Sequence, residues 1–252
     1  MTRVLLLGGT AEARALAAAL IGAGVDVVSS LAGRVSQPRM PVGDVRVGGF
    51  GGVDGLAAAL VEGRFTHLVD ATHPFAVRMT ANAGAASTVA GVPCLRLARA
   101  GWSGHPDAGS WHWAHDYDEA RALAEQLRAE RPFITTGRQT LEHYATWTDR
   151  DVLLRVVEPL DGEAPARWTV LLDRGPFDVA DERALMSHHQ VDALLTKDSG
   201  GAYTAAKLTA AAELGVPVIV VRRPQVPAGV AEVSSVEEVL RWLGGAAGSL
   251  SR

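Results

Sequence analysis

RVLLLGGTAEARALAAALIGAGVDVVSS, residues 3–30, is the stretch that decides the fold. Residues 4–7 form an apolar run without polar alternation, which suits a strand covered on both faces. Two glycines break the run, and residues 11–23 that follow are rich in alanine, the best helix former. A second apolar run then occupies residues 25–29. Strand, glycine turn, helix and strand make a βαβ unit, and that connection joins parallel strands.

The same rhythm continues outward. Further strands are predicted at residues 45–47, 67–70, 93–97, 133–135, 153–157, 170–172, 193–195 and 217–221, with helices at 55–62, 75–90, 118–130, 181–189, 204–214 and 235–243. The predicted fold class is α/β, built on parallel sheets flanked by helices. The alternation breaks once, in AGWSGHPDAGSWHWAHDY at residues 100–117, where Gly, Pro and Asp punctuate the chain. Trp111 and Trp113 alternate there as on a strand or a packed linker. A boundary at this point gives a domain of residues 1–100, a linker of 101–116 and a second domain of 117–252.

Composition narrows the function. At 252 residues and 48% hydrophobic, the chain buries a sizeable core and is not disordered. A net charge of −4 argues against nucleic acid, whose binding requires a basic excess. The lone Cys94 excludes an intramolecular disulfide and a cysteine-rich metal site, and its apolar surroundings suit a buried thiol. The first apolar run ends at Gly8, too soon for a signal peptide, and no stretch is apolar enough to span a membrane, so a cytoplasmic protein is expected. The histidines lack the spacing of a metal site, so no metal is expected. Only two of the 24 basic residues are lysines, Lys197 and Lys207, and both fall in one short segment.

In open parallel sheets, ligands collect beyond the carboxyl ends of the strands, where helix N-termini offer N–H groups. Four turns of this kind are rich in small and polar residues. In the first, Gly8, Gly9, Thr10, Glu12 and Ala13 follow the opening strand. The glycines let a phosphate approach, and Thr10 caps the helix or donates to an anion, although the turn is not GxGxxG. At the second, Ser30 and Arg34 stand where NAD-preferring sites carry an acid, so the pattern favours a 2′-phosphate and hence NADP. The third holds Thr72, His73 and Pro74, with Pro74 placed as the first helical residue. The fourth, around Lys197, Ser199, Gly200, Gly201, Thr204 and Lys207, joins with Thr136, Gly137 and Arg138 to suggest an anion pocket. Tyr203 and Lys207 also match the YxxxK of short-chain dehydrogenases, but the TGxxxGxG loop of those enzymes is missing.

Taken together, GGTAEAR (8–14), DATHPFA (70–76), TTGR (135–138), DRGPF (173–177) and TKDSGGAYTAAK (196–207) resemble the precorrin-6A reductase family of cobalamin biosynthesis, in family order from about residue 3 to 223. A common family form has Asn where this chain has Asp198. The resemblance implies two Rossmann-like domains, the first for coenzyme and the second for substrate, with the active cleft between them. It implies NADPH-dependent reduction of one macrocycle double bond, precorrin-6A to precorrin-6B. Arg138, Lys197 and Lys207 would then anchor the carboxylate arms of an anionic tetrapyrrole, with Arg14, Arg39 and Arg174 as further candidates. His73 and Tyr203 are the candidate proton donors. Neighbouring pathway enzymes are expected as transient partners, and nucleic acid and membrane are not. The alternatives are a short-chain dehydrogenase using Tyr203 and Lys207, a cofactor-free tetrapyrrole enzyme like uroporphyrinogen III synthase, and a two-lobed solute-binding protein.

Overall fold

The computed structural model describes residues 1–33, 38–201 and 204–247. In chain order, β1 (Arg3–Leu7), α1 (Ala11–Gly22), β2 (Asp26–Leu31), β3 (Asp44–Val47), α2 (Val53–Glu62), β4 (His67–Asp70), α3 (Val77–Ala90) and β5 (Cys94–Leu97) come first. After them come β6 (His112–Ala114), α4 (Tyr117–Gln126), β7 (Pro132–Ile134), a 3-10 helix (Arg138–Tyr144), β8 (Leu153–Val156), β9 (Thr169–Leu172), α5 (Val179–His188), β10 (Ala193–Lys197), α6 (Ala206–Leu214) and β11 (Val218–Val221). The chain closes with β12 (Ala231–Val233) and α7 (Val236–Ala247).

Two six-stranded sheets result, in the orders β12-β5-β4-β1-β2-β3 and β6-β11-β10-β7-β8-β9. All their pairings are parallel. Both are doubly wound Rossmann-like sheets whose order reverses between β1 and β4 in one and between β7 and β10 in the other. The apolar runs have a direct cause. Val4 and Leu6 pack on one face with Leu16 and Leu20 of α1 and Val239 of α7. Leu5 and Leu7 pack on the other with Leu56, Leu60 and Ala83. A strand sandwiched in this way has no solvent face on which to place a polar residue. On α1 the buried residues Ala13, Leu16, Ala17 and Leu20 make the stripe of an amphipathic helix. Cutting Leu16 or Leu20 back to alanine in such a core costs about 2–5 kcal/mol.

The domain boundaries differ from those expected. One unit is Met1–Ala100 together with Pro224–Arg252, and the other is Gly101–Arg223. Residues 101–116 are therefore no linker. Trp102 and Trp111 are buried in the core of the second unit with Phe133, Leu194 and Leu208, and β6 pairs with β11 at the edge of its sheet. The end of the chain returns to the first unit, where β12 pairs with β5 and α7 packs against the face of α1. The second sheet is thus built from six consecutive strands, β6 to β11, whereas the first adds to β1–β5 the strand β12 from the far end of the chain.

Pro74 is also not the first helical residue, because α3 starts at Val77. Asp70 holds the chain in a turn instead, accepting from the backbone N–H of Thr72 at 3.0 Å, while Ala76 N donates to the carbonyl of His73 at 2.8 Å.

Candidate functional site

The turns singled out after β1, β4, β7 and β10 fall at the carboxyl ends of their strands, and of the second turn Ser30 lies near the end of β2 while Arg34 falls outside the described residues. The β1 and β4 turns meet at the reversal point of the first sheet, and the β7 and β10 turns meet at that of the second.

In the first unit, the turn after β1 is tied on both sides. Gly8 N donates to the carbonyl of Ser30 on β2 at 2.9 Å, and the Thr10 hydroxyl donates to the carbonyl of Ala71 after β4 at 2.8 Å. The same hydroxyl accepts from Ala13 N at 3.1 Å and so caps α1. At Gly8 a Cβ would lie 3.4 Å from that of Ala13, so glycine brings the helix close to the turn. At Gly9, φ is +115° and, among the described residues, nothing lies within 4 Å of where a Cβ would be. An open glycine at a helix N-terminus on a switch point is the cradle a pyrophosphate requires. Glu12 would repel such a group, but Arg99 pairs with its carboxylate at 2.8 Å. The residues present fit a dinucleotide.

Beneath the β4 turn lies a buried polar network. Asp70, fully buried, accepts from Thr72 N, from the hydroxyls of Thr72 (2.6 Å) and Thr80 (2.7 Å), and from Arg96 Nη1 (2.7 Å). Arg96 also donates to Glu232 of β12 at 2.9 Å. A carboxylate with all its lone-pair positions used, paired in a dry site, fixes the turn above it. His73 leaves this turn with Nδ1 accepting from Phe75 N at 3.2 Å, which assigns the ring proton of the neutral form to Nε2.

In the second unit, Thr135 N donates to Leu195 O at 2.9 Å and locks the β7 turn to β10. Lys197 Nζ then lies beside Gly137, where a Cβ would stand 3.7 Å from it. Burial pulls the Lys197 ammonium down to about 8, since removing water disfavours the charged form. Ser199 is buried, with its hydroxyl on Lys197 O at 3.2 Å, and Gly200 and Gly201 both have positive φ (65° and 74°). Thr136 is buried and shares a hydrogen bond of 2.7 Å with Thr140. Arg138 donates to Pro159 O at 3.0 Å and reaches the exposed Asp161 at 3.4 Å. A cation, glycines and hydroxyls are thus gathered at one mouth.

Several expected residues are placed otherwise. Lys207 points into the second unit rather than to the mouth. It is 4% exposed, donates to Thr204 O at 2.7 Å and lies 5.1 Å from the Trp102 ring centroid. Desolvation, aided by nearby Arg155 and Lys197, drops its ammonium to about 7 against the pull of Glu182. It supports the loop from below. Thr204 Oγ1 is buried with no partner among the described residues. Arg174 is exposed and follows the edge strand β9, away from the reversal point, while Arg39 is exposed and Arg14 half-buried, both in the first unit. Arg34 and Tyr203 lie outside the described residues. Burial raises the Cys94 thiol to about 12, in keeping with a structural role.

Two features escaped the sequence reading. Asp198 accepts from Trp102 N at 2.7 Å and pairs with Arg223 at 3.5 Å, so its carboxylate holds the β10 turn against both ends of the unit's own chain. Arg46 on β3 donates to the Ser30 hydroxyl at 3.2 Å and stacks on Phe50, and only the GGFGG that follows it (48–52) hinted at a site there. Among the described residues no helix is long and apolar enough to cross a membrane, and no three His, Cys, Asp or Glu side chains cluster as a metal site would require.

The family model described as Precorrin-6x reductase CbiJ/CobK matches residues 3–244. A precorrin-6A reductase of Rhodococcus erythropolis is 50% identical over 245 residues, covering 97% of this chain and 98% of its own. A cobalt-precorrin-6A reductase of Priestia megaterium is 29% identical over 254 residues, covering 95% of this chain and 97% of its own. The solved structure of CobK precorrin-6A reductase superposes with a TM-score of 0.87 at 39% identity, covering 97% of each chain.

Proposed function

Because the chain belongs to the precorrin-6x reductase family of cobalamin biosynthesis, we propose that it reduces one double bond of metal-free precorrin-6A with NADPH, giving precorrin-6B. The observation that carries this reading is the division of chemistry between the two reversal points. One presents an open glycine at a capped helix N-terminus, and the other a buried lysine among hydroxyls and glycines. The metal-free substrate is favoured because the relative at 50% identity bears the metal-free name, whereas the one at 29% bears the cobalt name.

NADPH, when bound, supplies hydride to a ring carbon made electrophilic by conjugation to an imine nitrogen. Gly8, Gly9 and Thr10 hold its pyrophosphate against the N-terminus of α1, and Ser30 meets the adenosine end. Arg34 is a further candidate at that end, by its sequence position. Thr72 and His73 line the same mouth, held by Asp70 beneath them. In the second unit, Lys197 and Arg138 pair with carboxylate arms, and Thr136, Ser199, Gly200 and Gly201 let those arms approach the backbone. Lys207 keeps the loop in place. The reduction is completed by one proton, taken from solvent or a nearby acid, for which His73 as imidazolium and Tyr203 are the candidates. Most of the acceleration then comes from holding coenzyme and macrocycle in one geometry.

The test is incubation of the whole chain with NADPH and precorrin-6A verified as intact. The expected result is coenzyme oxidation and a product heavier by two hydrogens, with cobalt-precorrin-6A turned over more slowly. No oxidation of NADPH beside intact substrate rejects the reading.

A further inference from the structure

We infer that Arg46 is the residue that selects the phosphorylated coenzyme, by gripping a phosphate on the 2′-oxygen of the adenosine; this rests on the coenzyme reading above. Arg46 stands opposite Ser30 in the register of β3 on β2, at the carboxyl end of the strand beside β1. In an open α/β sheet this is where the adenosine ribose is read, by an acid for a free hydroxyl or by a cation for a phosphate. No Asp or Glu occurs between Ser29 and Gly33.

How the guanidinium is held points the same way. Nη1 donates to the Ser30 hydroxyl at 3.2 Å and to Gly48 O at 3.1 Å, Nη2 donates to Gly49 O at 3.3 Å, and the plane stacks on Phe50 at 3.8 Å. Every one of these partners is neutral. Among the described residues no carboxylate pairs with Arg46, whereas Arg3, Arg96 and Arg99 of the same unit each have one, in Asp26, Asp70 and Glu12. A fixed cation lacking a counter-charge suits an incoming anion. Of the five guanidinium N–H groups, three are used, and Nε and Nη2 each keep one to donate to an incoming phosphate.

The surroundings agree. Ser30 accepts from Arg46 and so keeps its own O–H to donate to the same phosphate. Among the described residues, nothing lies within 4 Å of where a Cβ would be at glycines 48, 49, 51 and 52. Gly48 adopts a φ of +123°, a conformation costly for any other residue, and supplies one of the two carbonyls that orient the guanidinium.

The experiment is calorimetric titration of the whole chain and of Arg46→Gln with adenosine 2′,5′-bisphosphate and with 5′-AMP, which differ only in the 2′-phosphate. NADPH and NADH are titrated alongside. Loss of a charged hydrogen-bonded contact predicts that Arg46→Gln weakens the bisphosphate and NADPH by about 10–100-fold while 5′-AMP and NADH stay within about twofold. Arg46→Lys is expected to recover part of the loss, since it restores charge without the fork. If the variant keeps the wild-type preference for the 2′-phosphate, or weakens all four ligands alike, the assignment of Arg46 is wrong and the coenzyme reading stands. If the wild-type chain binds none of the four, the coenzyme reading itself has failed.

Discussion

Replacing Lys207 by methionine should remove most of the rise in stability of the second unit between pH 7 and pH 9. The ammonium is buried, and desolvation holds its folded pKa at about 7, well below the ordinary lysine value of 10.5. Through this window the unfolded chain therefore binds a proton that the folded chain has released. Stability then increases with pH, with a slope that climbs from about half of 1.4 kcal/mol per pH unit near pH 7 to nearly all of it by pH 8. Between pH 7 and pH 9 this one group adds about 2 kcal/mol, and Lys197, at about 8, adds about 1 kcal/mol by the same linkage. The lowered histidines His67 and His189 act mostly below this range, and Cys94, raised to about 12, acts with opposite sign from about pH 8 upward and takes back well under about 1 kcal/mol by pH 9. Urea unfolding followed by tryptophan fluorescence is a suitable assay, because Trp102, Trp111, Trp113, Trp147 and Trp168 all lie in the second unit. The wild-type chain is expected to gain about 3 kcal/mol from pH 7 to pH 9 and Lys207→Met about 1 kcal/mol. A wild-type stability that is flat or falling over this range, or a variant that keeps the whole slope, would refute the argument from burial.

Three further outcomes follow from the geometry. Lys197→Met should raise KM for precorrin-6A by about 10–100-fold while NADPH affinity moves by less than about twofold; equal loss of both contradicts the division between the units. Gly9→Val places a branched side chain at a φ of +115°, at a cost of about 1–3 kcal/mol, and should block the pyrophosphate. A fluorescence titration showing unchanged NADPH affinity would remove Gly9 from the coenzyme site. Asp198→Asn keeps an oxygen to accept from Trp102 N but loses the 3.5 Å pair with Arg223. It should cost about 1 kcal/mol or less, whereas Asp198→Leu strands a buried N–H and costs about 1–3 kcal/mol more. Thermal unfolding of the two variants separates them, and equal damage would show that the charge, not the acceptor, holds the turn.

The central strands were legible because burial on both faces leaves an uninterrupted apolar run, as at Leu5, Leu6 and Leu7. β6 and β12 were not, since His-Trp-Ala and Ala-Glu-Val are three-residue edge strands with too little burial to leave a pattern. Local hydrogen bonding misled at Pro74: a proline before a helical stretch suits its first position, but the Asp70 side chain captured Thr72 and moved the start to Val77. The two lysines show the same limit at the site. Their spacing marks one segment as cationic, but only the packing turns Lys197 toward Gly137 and Lys207 toward Trp102.

By itself, the sequence determined the α/β class, the polar turns at the strand ends, and the family, because each of these is written in contiguous residues. The tertiary structure decided which sheet each terminal strand joins, which cations reach a mouth, and that Arg46 meets Ser30. Those depend on pairings between segments far apart in the chain. Such pairings are set by which surfaces can be buried together, and no single stretch of sequence records them.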